Sequence, residues 1–212
     1  MPTTTAPRHV SIDPSILYFG TPVVLISTVG ADGRPNLAPI SSVFWLGHTA
    51  VIGMGTRSRT VQNLRDTGEC VLNLPSVDQV AAVDRLALTT GRDPVPVRKA
   101  SVGYRYEPDK FARAGLTPLP SATVAPLRAA ECPVHLEAAV TDLHLLGGGG
   151  TAAIELEVTR IHVHESIRLP DTANRIDPDR WRPLIMSFQQ FYGLGDRVQP
   201  STLASIDEEW YR

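Results

Sequence analysis

The sequence predicts a mainly β protein, an antiparallel, Greek-key-like β-barrel with helices around it and a C-terminal helical extension. Three observations carry this. Short β-branched or alternating segments recur with turn signals between them, helical periodicity is confined to brief stretches, and two long strand-like runs (133–146 and 151–167) flank a glycine turn. At 212 residues, 42% hydrophobic and 20% charged, the chain can bury one sizeable core.

In order, a Thr- and Pro-rich lead (1–14) is expected to be flexible, and Val23-Val-Leu-Ile-Ser-Thr-Val opens the barrel as a buried strand. Asp32-Gly suits a tight hairpin turn because it tolerates positive φ. Strands are expected over 36–45 and 50–54. The period then changes. Ser58 as N-cap, Val61 and Leu64 as an apolar stripe and Gly68 as a stop define a short helix, followed by an alternating strand over 69–75. Ser76-Val-Asp-Gln has the capping-box pattern and opens a second helix to about Thr89, with Val80, Val83 and Ala87 on one side. Residues 90–130 are irregular apart from a short helix at 108–114, and a long irregular connection suits a rim or lid over a ligand. Asp177 followed by Pro178 is an N-cap with proline at the first helical position, starting a helix through about Tyr192. Its stripe would be Trp181, Ile185, Phe188 and Tyr192.

Charge and composition exclude several classes. Twenty Lys and Arg against 22 Asp and Glu leave a formal charge of −2, so no basic field exists to hold nucleic acid. The longest apolar run, Val23 to Ile26, cannot span a membrane, and the N-terminal residues lack the apolar core of a secretory signal. Cys70 and Cys132 have no zinc-like spacing and fit reduced thiols in a cytoplasmic protein. Lysine occurs only at 99 and 110, against 18 arginines, a compositional habit that charge alone does not require.

Two segments carry the chemistry. Thr56-Arg-Ser-Arg-Thr-Val-Gln-Asn places two guanidinium groups and several hydroxyls at a helix start, where free N–H groups and the dipole favour an anion. Arg57 and Arg59 add charge-assisted bonds, Ser58 and Thr60 add finer donors, and the natural guest is a phosphate; the plainer alternative is an ordinary helix end. Before it, Asn36-Leu-Ala-Pro-Ile-Ser-Ser is a strand that Pro39 confines to an edge or bulge. Its free backbone groups, with Ser41 and Ser42, suit a flat heteroaromatic ring, or make it simply an irregular edge.

Together with Gly20-Thr-Pro-Val-Val-Leu-Ile-Ser-Thr, Asp32-Gly-Arg-Pro and Arg59-Thr-Val-Gln-Asn-Leu-Arg-Asp-Thr-Gly-Glu-Cys-Val-Leu-Asn, these segments resemble the flavin reductase-like family of FMN-binding split barrels. Ala114-Gly-Leu-Thr-Pro, Ala130-Glu-Cys-Pro-Val-His-Leu-Glu and Glu157-Val-Thr-Arg-Ile-His-Val-His extend the likeness, which covers roughly 15–168. The resemblance implies a split-barrel domain over 15–168, a homodimer with FMN near the subunit interface, and an extension (169–212) packed on the barrel or the partner. It also implies that Asn36, Ala38, Pro39, Ile40, Ser41 and Ser42 face the flavin ring. Thr56, Arg57, Ser58, Thr60 and Arg59 would surround the phosphate, and Asn63 would bind or brace the loop. NADH or NADPH is the expected donor, and a partner monooxygenase the expected consumer of reduced flavin. Hydride transfer to flavin needs stacking geometry more than acids or bases, so no general acid, base or metal ligand is assigned.

The tail departs from the small reductases, which end in a Gly-Arg-Tyr/His-like segment that this chain lacks. Phe191 or Tyr192 covering the flavin is the sharper alternative to plain packing. His135 with Glu137, and His162 with His164, each share a strand face, which suits barrel-lining polar groups better than a metal. Two other functions remain open: an FMN-bound electron carrier resembling flavoredoxin, or a specialised FMN enzyme with its own small organic substrate.

Overall fold

The barrel follows from one topological fact. Seven strands pair antiparallel in the order β3-β2-β6-β11-β12-β5-β4. These are β2 (Val24–Val29), β3 (Pro35–Ile40), β4 (Val43–Leu46), β5 (Thr49–Gly55), β6 (Glu69–Leu74), β11 (Val134–Leu146) and β12 (Thr151–Val163). Its two edges, β3 and β4, are joined by only Ser41 and Ser42, so the sheet must curl until its edges meet. The β4–β5 ladder runs on to that corner, where the Gly53 N–H donates to the Ser42 carbonyl at 2.8 Å.

The remaining elements of this computed structural model, which describes residues 7–211, decorate the barrel. They are β1 (Phe19–Pro22), α1 (Arg59–Thr67), α2 (Val80–Asp84), β7 (Thr89–Thr90), α3 (Val97–Ala100), β8 (Arg105–Tyr106), α4 (Lys110–Ala114), β9 (Pro118–Leu119), β10 (Arg128–Ala129), β13 (Leu184–Ser187) and β14 (Gln190–Gly193). Of the expected N-terminal lead, residues 1–6 lie outside the described residues, and 7–14 form no helix or strand.

Alternation sorts the apolar residues into two cores. Val24, Ile26, Ile52, Leu72, Ile154 and Leu156 point into the barrel, while Val23, Leu25 and Leu37 face an outer layer with Leu86, Phe111, Leu116 and Leu184. Because both faces of β2 are covered, its sequence reads as an unbroken apolar run. The first helix forms as expected: Ser58 Oγ accepts from the Val61 N–H at 3.1 Å, Gly68 ends it at φ 72°, and Val61 and Leu64 are buried.

Three expectations are corrected. The strand expected over 36–45 breaks at Ser41–Ser42 into β3 and β4, because that is where the chain crosses the seam. The Ser76 capping box is present, but it caps a 3₁₀ turn (Val77–Gln79) and α2 ends at Asp84, short of Thr89. The helix expected over 177–192 is a β-hairpin, β13–β14, attached to β1. Asp177 does start a turn, accepting from the Asp179 N–H at 2.9 Å, but Pro183 lacks an N–H and blocks helical propagation. The supposed stripe is dispersed: Ile185 and Tyr192 are cross-strand partners, Phe188 occupies the hairpin turn at φ 44°, and Trp181 packs on the barrel core.

Candidate functional site

Outside the seam lies a cavity of about 1010 Å³. One wall is the seam itself, Pro39 to Ser42 with Gly53, Met54 and Gly55. Arg57 and Ser58, at the start of α1, close one side together with Gly148, Gly149 and Gly150 from the β11–β12 turn. Arg98, Lys99 and Tyr104 reach in from the segment after β7, and Tyr18, Met186 and Phe191 from β13–β14 and the chain before β1.

Each wall has a local cause. Ser42 sits against a glycine: a Cβ at Gly53 would come within 3.1 Å of the Ser42 Cβ and press on the seam. Thr56 docks the glycine turn, its Oγ1 donating to the Gly149 carbonyl at 2.8 Å and its N–H meeting the Gly150 carbonyl at 3.2 Å. Arg92 holds the start of α1 from outside: its Nε donates to the Arg57 carbonyl at 3.0 Å and its Nη2 to the Ser58 carbonyl at 3.3 Å. With those carbonyls held, the Arg57 guanidinium is exposed and bonded to no described residue, and Ser58 stands at the positive end of a helix. That corner has the donors and charge for an anion, and the seam beside it presents the hydroxyls of Ser41 and Ser42 among Pro39, Ile40 and Met54.

The structure therefore gathers Pro39, Ile40, Ser41, Ser42, Arg57 and Ser58 around one cavity. The other residues singled out in the sequence lie behind it. Asn36 and Thr60 are buried and joined, Nδ2 to Oγ1, at 3.1 Å. Asn63 is fully buried and donates to Thr28 Oγ1 at 3.0 Å, leaving its Oδ1 without a partner. Ala38 packs on the barrel core, Thr56 holds the glycine turn, and Arg59 pairs with Asp32 at 3.0 Å. Tyr18, Arg98, Lys99, Tyr104, Met186 and the glycine turn went unread in the sequence. Only the two isolated lysines and the Gly147–Gly150 run were visible signals there. Of the two tail aromatics, Phe191 lines the cavity and Tyr192 is exposed.

The histidines lie elsewhere. His135 and His162 are opposite each other on β11 and β12, and His162 Nε2 meets Glu137 Oε1 at 2.7 Å. The same carboxylate accepts from the Ala122 and Thr123 N–H groups at 2.8 and 2.6 Å, and from the Thr123 hydroxyl at 2.6 Å. Burial alone would push this carboxyl up; the Thr123 and Ala122 donors and His162 outweigh it and hold it at about 2. Burial, then Arg128 and His162, push His135 down to about 4 against the pull of Glu137, and its Nδ1 lies 3.0 Å from Asn73 Oδ1. His164 instead meets Ser166 Oγ at 2.7 Å. Burial first, aided by a neighbouring glutamate, pushes the thiols of Cys70 and Cys132 up to about 12, which makes them poor nucleophiles.

A closed antiparallel barrel, split at one seam with a cationic cavity beside it, is the architecture of the split-barrel flavoproteins. The chain matches the flavin reductase like domain over residues 16–195 and belongs to the flavin reductase-like family. Membership makes it an oxidoreductase by family and implies a flavin as cofactor or substrate. It is 39% identical over 192 residues to the uncharacterized protein YdfE of Bacillus subtilis, covering 90% of this chain and 92% of that one. The fold is shared with flavoredoxin of Desulfovibrio vulgaris (TM-score 0.75, 21% identity, 93% of this chain and 100% of that one). Nitrilotriacetate monooxygenase component B from Bacillus cereus also shares it (TM-score 0.72, 20% identity, 92% and 100%). No helix among the described residues is long and apolar enough to cross a membrane.

Proposed function

We propose that the chain is an FMN-dependent oxidoreductase, an NAD(P)H:flavin reductase that delivers reduced flavin to a partner monooxygenase. The observation that carries this is the union, in one cavity, of an unpaired cation at a helix start with the Pro39–Ser42 wall. The residues fit the cofactor: the cavity has the size of a cofactor site, and one end offers Arg57 and Ser58 for a phosphate. When bound, FMN supplies the hydride chemistry.

The chain's own residues bind and orient. Arg57 offers the phosphate a charge-assisted contact, with Ser58, whose Oγ already caps α1, beside it. Ser41, Ser42 and the neighbouring backbone address the polar edge of the ring. Asn36, Thr60 and Asn63 hold the strand and helix behind that wall in register, and Arg59 with Asp32 and Thr56 with Gly149 fix the loops on either side. Tyr18, Met186 and Phe191 give an apolar side against which a nicotinamide of NADH or NADPH packs. No proton donor is required of the protein, and the sealed Glu137–His162 pair is left out of the chemistry.

In this reading the barrel domain spans 15–168, and 169–212 is an extension whose hairpin walls the cavity. The protein works as a cytoplasmic homodimer. Exposed Phe44 and Leu46 on the short edge strand β4 favour pairing of two copies. The name of the monooxygenase component B structure supports a monooxygenase partner.

The test is an FMN titration followed by anaerobic addition of NADH or NADPH. Expected are saturable binding, bleaching of the flavin band on a turnover timescale, and FMN affinity lowered about tenfold to a hundredfold in Arg57→Ala, the worth of one charge-assisted bond. Bound flavin that stays oxidised with both nucleotides would instead make the protein an electron carrier reduced by another protein.

A further inference from the structure

The cavity carries more positive charge than the flavin reading uses. The described residues that line it include three cations, Arg57, Arg98 and Lys99, and no aspartate or glutamate. Arg57 belongs to the α1 start, where the flavin phosphate is expected. Arg98 and Lys99 belong to another element, α3, and neither side chain has a hydrogen bond or ion pair with a described residue. The Lys99 ammonium faces the Tyr104 ring, 5.0 Å from its centre. Arg98 is exposed and Lys99 half-buried, so the pair stands at the mouth of the cavity.

The arm that carries them is held at both ends. It leaves β7, where Arg92 bonds the Arg57 and Ser58 carbonyls, and returns through β8, which pairs parallel with β7. The Arg105 N–H donates to the Leu88 carbonyl and the Glu107 N–H to the Thr90 carbonyl, both at 2.9 Å, closing the arm at its root. At the tip the backbone satisfies itself. The Pro96 carbonyl accepts from the Lys99 N–H at 2.8 Å, and the Lys99 carbonyl from the Tyr104 N–H at 3.0 Å. The fold thus supplies partners for the arm's backbone and none for its two cations. Burial first, then Arg92, push the Lys99 ammonium below its ordinary value, as expected of a charge without a counter-ion.

We propose that Arg98 and Lys99 receive the 2′-phosphate of NADPH, so that the protein selects NADPH over NADH. This deepens the NAD(P)H reading above and rests on it. A phosphate monoester carries about −1.5 to −2 charge at pH 7, which two adjacent cations match. The guanidinium meets it with a two-pronged bond and the ammonium as a point charge. The diphosphate bridge is common to both nucleotides and could not tell them apart. In dinucleotide sites of another fold a carboxylate on the ribose 2′-OH marks NADH and an arginine marks NADPH; this lining has the arginine and no carboxylate. Position agrees, because the adenosine end is the part of the nucleotide remote from the reacting ring. Cations at the mouth suit it while the nicotinamide packs against Met186 and Phe191. The cavity, about 1010 Å³, also reaches the top of the range for a single ligand, about 300–1,000 Å³, which leaves room beside a flavin.

Two measurements on the full chain test this, in the parent, Arg98→Ala and Lys99→Met. Steady-state kinetics with FMN give kcat/KM for NADPH and for NADH. Calorimetry follows adenosine 2′,5′-bisphosphate, with 5′-AMP as control, binding to the FMN-loaded protein. Expected is an NADPH-to-NADH ratio of at least ten in the parent that falls towards one in each variant, with FMN affinity kept within twofold. The bisphosphate should bind the parent at least tenfold more tightly than 5′-AMP, and each variant should lose that margin. A parent that uses NADH as well as NADPH overturns the proposal and leaves the reductase reading standing. So does a ratio unchanged in both variants; a fall in FMN affinity there would return the pair to the flavin phosphate. If the FMN-loaded parent oxidises neither nucleotide, the reductase reading falls and the proposal with it. Arg98 is exposed, so Arg98→Ala decides should Lys99→Met not fold.

Discussion

Two polar regions of this barrel use similar residue types to opposite ends. In the Glu137 cluster, the carboxylate is met by two N–H groups, a hydroxyl and an imidazole, and it has no exposed surface. At the α1 start, Arg57 has no side-chain partner and faces an open cavity beside Lys99. The first region closes the barrel by tying the 121–125 loop to β11 and β12; the second holds charge in reserve for something outside the chain. The contrast teaches that a polar cluster is read by what its groups lack. His135, Glu137 and His162 look like chemistry in sequence, but their partners are already present in the fold. The α1 start looks like an ordinary capped helix, but its charge is uncompensated.

The largest effect should come from breaking the satisfied region. Glu137→Ala removes the one acceptor shared by the Ala122 and Thr123 N–H groups, the Thr123 hydroxyl and His162. A loss of about 3–5 kcal/mol in urea unfolding is expected, the usual cost of removing one partner of a buried charged cluster. FMN affinity of the fraction that stays folded should not change. A variant with parental stability and weakened FMN binding would reverse the roles given to the two regions.

Much of the barrel was legible because its signals are local or periodic. Ser58, Val61, Leu64 and Gly68 name a helix from its cap to its stop, and the Val23–Ile26 run announces a strand covered on both faces. The cationic corner of the cavity was legible for the same reason, since Arg57 and Ser58 are neighbours in sequence. What escaped depends on distant contacts. The hairpin 184–193 has a strand to join only because β1 lies beside it, and Pro183, which denies the helix, follows a genuine N-cap turn at Asp177. Residues such as Asn36, Thr60 and Asn63, polar and near the motif, carry no mark in the sequence to say that they lie behind the wall and not on it. Lys99, Tyr18 and Phe191 reach one cavity from segments more than 70 residues apart, a convergence that no spacing rule reveals.

A more gradual effect should follow from acid, and it again belongs to the satisfied region. His135 is held at about 4 against an ordinary 6.5, and Glu137 at about 2 against 4.5. Both folded-state values are depressed, so the unfolded chain takes up each proton first. The stability they contribute is complete above pH 6.5, begins to fall below it through His135, and falls further from pH 4.5 towards 2 through Glu137. Each proton is worth up to about 1.4 kcal/mol per pH unit. Urea midpoints between pH 7 and 3 should show this slope, and His135→Gln should flatten its upper part. A midpoint independent of pH over that range would mean the cluster is not closed as described.

Within the α1 start, Ser58 is both satisfied inside the fold and turned to the cavity, and that gives the smallest and most discriminating prediction. Its Oγ accepts from the Val61 N–H, so the cap is satisfied inside the fold, while its residue lines the cavity with Arg57. Ser58→Ala should cost about 1 kcal/mol of stability by losing the cap. Ser58→Asp keeps a capping oxygen and suits the positive helix end, so its stability should match the parent. The same carboxylate sets a negative charge where the phosphate is expected, so FMN affinity should fall in Ser58→Asp more than in Ser58→Ala, while riboflavin affinity is kept. Urea melts and paired titrations separate the two roles. Equal FMN affinity in the two variants would show that Ser58 serves the helix alone and that the anion, if one binds, sits elsewhere.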